Sequence, residues 1–547
     1  MVPSPMSRVF ILSVLAALLL SPSAAFAQAQ PTVPLFNNLG ALHHPITTQS
    51  DLAQQYFDQG LRLVYGFNHE EAINSFQEAA RQDPLAAMPY WGIALALGPN
   101  VNAEMDKAQE RRAVEAVRQA KARLAQASPQ ERAYIDALAT RYSPDKKTNR
   151  KKLDQAYADA MRQVSRRFPD DADAAVLFAE ALMDTSPWDY WTADGKPKSG
   201  LEEIVPTLEQ VIARHPDHPG ACHYYIHAVE ASSQPERALP CAQRLPSLMP
   251  GAGHLVHMPA HIYMRLGLYR EAVERNVEAS DVDQDYLDRR RLTGAYPHGY
   301  YLHNIHFLWA ALLMEGRSTE AARAARRLVS TMRMEDPDKV GHPDFFAAAP
   351  MLTLVRFGRW DELLREPAPR PEWLLAVGLW HYARGLALAA TERFGEAEAE
   401  QAEILESIKL LSKQRGSEAE TEQQVLKVAE RVVEGELAAK RRQFPEAIRA
   451  LKEAVALEDK LRYSEPPLWT IPARQNLGAV LMAVGRPIEA EGVYREDLKR
   501  NPENGWSLFG LAQSLRAQEK MEEARAVEDR FRQAWTHADV KLTESRF

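Results

Sequence analysis

The sequence predicts an all-α protein: an α-solenoid of helix-turn-helix units with a concave groove. Three observations predict it. Alanine, leucine, glutamate and arginine dominate a chain of 547 residues, and strand signals are weak. A pattern of small and large residues repeats with a 34-residue period. A chain this long is ill suited to one compact core, whereas stacked units grow without limit.

The first 27 residues read as an export signal. Arg8 and the terminal amine supply positive charge, Val9 to Leu20 is apolar, and Ala25-Phe26-Ala27 forms a small-x-small cleavage site. The apolar run is too short to span a membrane. The expected setting is therefore periplasmic or secreted, with no membrane span after cleavage. The 46% hydrophobic and 26% charged content is that of a soluble chain, and the net charge of −8 with no basic run argues against a nucleic-acid partner. Residues 28–52 form an extension containing His43 and His44, which either folds back into the groove or caps the solenoid.

The repeat is clearest at the two ends of the remaining chain. Tyr56, Gly60, Leu63, Ala72, Phe76 and Pro84 correspond to Arg474, Gly478, Leu481, Ala490, Tyr494 and Pro502, with Ala79 in the first unit and Leu477 in the second as further packing positions. From each glycine the alanine follows at 12 residues, the aromatic at 16 and the proline at 24. Gly478 to Ala512 is one further period of 34. Alanines in the register of Ala72 recur at Ala238, Ala272, Ala321, Ala397, Ala447, Ala490 and Ala524. The small residue of the first helix admits the second, the alanine does the same in return, and the proline ends the unit. This pattern resembles the tetratricopeptide repeat, which implies a right-handed superhelix of roughly ten to twelve units, several degenerate. The boundaries expected are 53–170 for N-terminal repeats with a poorly matched helical segment, 171–364 for central repeats, 372–538 for C-terminal repeats and 539–547 for a tail. Arg365 to Pro371, with three prolines, reads as the linker before the C-terminal repeats.

The central repeats carry an unusual stripe. Ten of the 16 histidines lie between His215 and His306, where the length fraction alone gives about three. The small-residue positions there are Ile226, Ala260 and Trp309. Three residues before them stand His223, His257 and His306; one after stand His227 and His261; six before stand His254 and His303. At about 100° per residue these offsets fall within roughly 60° of arc, some 135° from the packing stripe. In the family this resembles, that face lines the concave groove and meets ligands. Imidazoles at i and i+3 or i+4 present two nitrogens to one ion. Imidazole favours transition metals, and copper or zinc is the first choice in an exported protein. We expect His223, His227, His257, His261 and His306 as inner ligands, with His254 and His303 at the margin. A stripe of histidines also suits a peptide or other polar ligand, a pH sensor, or plain structure.

Carboxylates accompany the stripe. Glu230 follows His227 by three residues, and Glu180 and Asp184 are one turn apart; they are candidates for ligands, for partners that orient the imidazoles, or for ordinary surface charge. Trp188, Trp191, Tyr296, Tyr300 and Tyr301 lie in aromatic inserts that wall the site or simply pack on the scaffold. The only cysteines, Cys222 and Cys241, suggest a disulfide between helices, with a copper thiolate as the alternative. No phosphate loop, G-x-S-x-G elbow, H-E-x-x-H motif or haem-attachment motif is present. The leading expectation is thus an exported solenoid holding transition metal in its groove, for storage, delivery or catalysis of copper redox or zinc hydrolytic type. The rival is an envelope scaffold that docks a peptide or protein.

Overall fold

A computed structural model describes residues 33–143, 145, 149–192, 195–290, 296–334 and 343–547. The proposed export signal lies outside the described residues. Helices pair into antiparallel hairpins, from Asp51–Tyr65 with His69–Gln82 through Gly505–Ala517 with Met521–Ala534. Among the described residues no strand forms, and no helix is long and apolar enough to cross a membrane.

The repeat pattern works as its small residues require. A Cβ on Gly60 would stand 2.6 Å from the Phe76 ring, and one on Gly92, in the next first helix, would stand 2.5 Å from it. Tyr494 is wedged in the same way between Gly478 and Gly510, at 2.4 and 2.3 Å. Each aromatic thus locks its own hairpin to the following one. Hairpin turns pass through left-handed backbone seven residues after the small position, as at Gly267, Gly316 and Gly485.

The weakly matched stretch after Asn100 is regular hairpin, with capping boxes at Asp106/Gln109 and Ser128/Glu131 opening Lys107–Lys121 and Pro129–Ala139. Residues 365–373 are non-helical, yet the Trp380 indole N–H donates to the Glu366 carbonyl and Arg384 lies over the Trp380 ring. One apolar core runs from Leu39 to Ala473 across this stretch, so the proline-rich segment is a packed connection.

Distant parts of the chain also meet. Arg290 pairs with Glu71 at 2.9 Å, the Trp506 indole donates to the Leu313 carbonyl at 3.2 Å, and Arg356 stacks on Trp506. Asp539 accepts from the Ser318 and Thr319 amides at the start of Ser318–Met334. Ser545 bonds Tyr494, and Arg546 pairs with Glu436, so the last residues are part of the scaffold. Cys222 and Cys241 are joined by a disulfide with a Cα–Cα distance of 5.0 Å, tying Pro219–Val229 to Leu239–Leu248.

Candidate metal centre

The histidine stripe is gathered into one buried cluster. Two triads, His223–His227–His254 and His257–His261–His303, each place one ligand atom per residue within 4.8 Å of the others. His223, His227, His254, His257 and His261 are at most 2% exposed, and His303 is half-buried. The histidine face expected to line the concave groove is thus a buried interior site. Phe67, from the turn of the first hairpin, packs over His223, His227 and His254 with ring centroids 4.5, 6.1 and 5.5 Å away. Tyr300 covers His254 at 4.5 Å, and Trp188 meets His227 edge-on.

Helix breaks aim these rings. Pro259 lacks an N–H, and the first helix of its hairpin divides into Gly253–His257 and Pro259–Leu266. His254 thus sits on a separate turn and swings toward His223. His303 follows a wide π-turn at Pro297–Tyr301 and reaches His257, with centroids 4.8 Å apart. His254 and His303, expected at the margin, complete the two triads. His306, expected as an inner ligand, belongs to neither. Trp309 stands where a small residue would, and its indole takes the face of the His306 ring at 5.3 Å, with Phe346 at the ring's edge.

The partners of the Nδ1 atoms fix the tautomers. His223 Nδ1 lies 2.7 Å from the Tyr65 carbonyl, which only accepts, so this nitrogen carries the proton. His257 Nδ1 donates to Asn276 Oδ1 at 2.6 Å; the Asn276 amide is oriented by its own donation to the Ala272 carbonyl. His227 and His261 donate through Nδ1 to Glu230 Oε1 and Oε2, at 2.9 and 2.5 Å. In each of these rings, when neutral, Nε2 is then a lone pair aimed into the cluster. His257 and His261 Nε2 are 2.9 Å apart, and His223 and His254 Nε2 are 3.1 Å apart. His254, whose Nδ1 has no partner among the described residues, can carry its proton on Nε2 and donate to His223, and a protonated His261 can donate to His257; without those protons each pair presents two lone pairs at a spacing that suits one cation. His227 Nε2 is buried with no hydrogen-bond partner among the described residues, and neither has His254 Nδ1. Two nitrogens each about 2.0–2.1 Å from one ion stand roughly 2.9–3.4 Å apart at right-angle to tetrahedral bond angles.

Electrostatics keeps most of these rings neutral. Burial, then the neighbouring imidazoles, holds His223, His254, His257 and His303 well below the usual histidine value. Burial also lowers His227, in spite of Glu230. His261 goes the other way: burial lowers it, but the Glu230 charge and bond outweigh this and raise it. Burial would raise Glu230, yet His261 and His227 bring it down to about 2, so the carboxylate stays ionised. Neutral imidazoles beside one fixed anion are the form that binds a cation.

The other carboxylates are elsewhere. Asp184 pairs with buried Arg141, which also faces Asp154, and Glu180 bonds Asp184. Both are buried, and burial pushes both upward. They sit inside the hairpins around 129–183 beside Arg141, and among the described residues neither is bonded to an imidazole of the cluster. Tyr296 bonds Asp283 and receives the His254 amide, Trp191 donates to the Ala228 carbonyl, and Tyr301 bonds Gln284 away from the cluster. His44 and His218 both bond Asp173, at 2.8 and 3.1 Å, and His43 bonds Asp58. The extension is thus clamped to the scaffold, and His218 is part of the clamp.

Sequence reasoning missed Phe67, Asn276, Tyr463 and Glu465. Tyr463 donates to Glu465 Oε1 at 2.6 Å and reaches Glu230 Oε2 at 3.4 Å. Burial and then the Glu230 charge raise Glu465 to about 7. Two of the four left a readable trace. Asn276 occupies the offset held by Phe76 and Tyr494, where a wedge belongs. Phe67 occupies the offset held by Gly267, Gly316 and Gly485 and takes the same left-handed backbone, at φ 55°.

Residues 476–539 match the tetratricopeptide repeat family. No curated protein matches the sequence. Among solved structures the chain is similar to the human IFIT1 dimer with m7Gppp-AAAA, at 13% identity over 90% of this chain and 91% of that one, with a TM-score of 0.34. It is also similar to the yeast Tom70 crystal structure, at 14% identity over 89% and 95% of the two chains, with a TM-score of 0.30.

Proposed function

We propose that this solenoid of tetratricopeptide-type hairpins binds transition metal, copper or zinc, through two histidine triads joined by Glu230. One observation carries the reading. Nδ1 of His223, His227, His257 and His261 is tied to an acceptor while Nε2 points inward, in pairs spaced as ligands of one ion are. Three imidazoles leave a fourth position open on each ion. All-nitrogen ligation favours zinc, copper, iron or nickel over magnesium or calcium. A bound ion would supply an activated water if zinc, or electron transfer if copper. Glu230 compensates charge and fixes two rings through Nδ1. The apolar segment Val9 to Leu20 and the Cys222–Cys241 disulfide support a periplasmic or secreted setting.

Metal content of the full chain, purified without a polyhistidine tag and dialysed against copper or zinc, tests the reading. We expect about two ions per chain, and loss of one with His223→Ala and of the other with His257→Ala. Less than one ion per chain, or content unchanged in both variants, would refute it.

A second reading, a scaffold for a peptide or protein partner, is supported by the tetratricopeptide match at 476–539 and by Ile488 in that stretch, 73% exposed. Its test is partner capture by the full chain. Ile488→Glu should abolish capture and His257→Ala should leave it intact; the reverse pattern rejects this reading.

A further inference from the structure

Beside the His303 edge of the histidine cluster lies a cavity of about 140 Å³. Its walls are apolar and aromatic, with Trp309, Phe346, Leu352 and Leu379 among them, and both His303 and His306 line it. An apolar cavity of about 150 Å³ is large enough to hold benzene, so this one has room for a single six-membered ring. Small-molecule sites have this character: a mostly apolar wall with a few polar groups that set orientation.

Three of its lining residues carry polar atoms left without partners. The Tyr382 hydroxyl and the Trp469 indole N–H are buried donors with no acceptor among the described residues. Glu465 lines the same cavity; Tyr463 occupies its Oε1, while Oε2 is buried and unpartnered. A buried donor with no acceptor is costly, so the occupant that suits this cavity both accepts and donates a hydrogen bond. Charge narrows the choice. Glu418, Glu422 and Glu465 line the cavity against a single arginine, Arg462, and burial already pushes Glu422 and Glu465 up to about 7, so a further carboxylate is disfavoured there.

We propose that this cavity binds a neutral single-ring phenol, whose oxygen accepts from Tyr382 or Trp469 and whose O–H donates to Glu465, with the ring held against His303 and His306. The assignment deepens the metal reading and rests on it only for what the bound ring faces. Glu465 connects through Tyr463 to Glu230, so the cavity and the two triads share one line of polar groups.

Isothermal titration of the full chain with phenol and with benzoate at pH 7, in chelator-stripped and copper-loaded forms, tests this. We expect one phenol per chain in both forms and benzoate at least about tenfold weaker, with Glu465→Gln and Tyr382→Phe each weakening phenol by about tenfold. In the copper-loaded form phenol should shift the visible copper absorption. Leu379→Trp, which fills the cavity from its wall, should abolish binding and gives the answer if either polar variant fails to fold. Absence of phenol binding, equal binding of benzoate, or binding indifferent to all three variants overturns the inference. If metal is taken up and phenol is not, the pocket assignment falls and the metal reading stands. If phenol binds and the variants weaken it while no metal is taken up, the pocket assignment stands and the metal reading falls.

Discussion

Glu230 shows how one side chain can organise a buried centre. Its two oxygens hold Nδ1 of His227 and His261, residues of successive hairpins, and it is fully buried. Glu230→Gln keeps the volume but removes the charge and sets an amide N–H against an imidazole N–H. Loss of such an orienting partner typically weakens metal binding 10–100-fold. We expect a drop of about that size in copper or zinc affinity, measured by competition with a chromogenic chelator. Phe67 works against its own backbone. A left-handed non-glycine residue costs about 1–2 kcal/mol, and burying the ring over three histidines returns more. Truncating a buried phenylalanine costs about 3–5 kcal/mol. Phe67→Gly relieves the strain and loses the ring, so a net loss of about 2 kcal/mol is expected in urea unfolding.

At the scale of elements, the extension and the disulfide each invite a test. Burial would lower His44, but its bond to Asp173 and the charges of Asp173, Asp171 and Asp58 outweigh this and raise it. Burial would raise Asp173, but His218 and His44 bring it well below the usual carboxylate range. The raised histidine contributes stability fully present below its unfolded value of about 6.5 and lost as pH rises through its folded value. The depressed carboxylate contributes stability fully present above about 3.9 and lost as pH falls through its folded value. The clamp is therefore strongest between about pH 4 and 6.5. His44→Ala should cost most stability in that window and progressively less above it, as followed by thermal unfolding across pH. The Cys222–Cys241 link closes a 19-residue separation, for which chain entropy gives about 3 kcal/mol. Reduction, or Cys241→Ser, should lower the denaturation midpoint accordingly. These elements also mark what was legible. The hairpins and the shared face of the six clustered histidines could be read locally, from offsets within one repeat, and the disulfide from the chain's only two cysteines. The position of His306 outside both triads could not, because its ring packs on Trp309, in a small-residue slot, and on Phe346 from the next hairpin.

Over the whole molecule, a ligand that binds only the folded chain stabilises it, by about 2.7 kcal/mol at a hundredfold excess over Kd. Zinc should therefore raise the thermal midpoint of wild type, a chelator should reverse this, and the double variant His223→Ala/His257→Ala should show neither effect in differential scanning calorimetry. The depth at which the histidine face is buried was not legible in the repeat. A repeat pattern describes contacts between neighbours, and nothing in it tells how far the superhelix winds before its turns meet. Tyr65 reaches His223 across 158 positions, and Tyr463 reaches Glu230 across 233. No local offset encodes either.

Repeat proteins are usually divisible, since each unit touches only the next. This one is not. A fragment lacking the first hairpin, or ending before Tyr463, keeps the imidazoles but loses Tyr65 and Phe67, or Tyr463 and Glu465, from around them. The centre is complete only when the first hairpin and the segment around Tyr463 both rest against the middle hairpins, so stretches 158 and 233 positions away hold it in common.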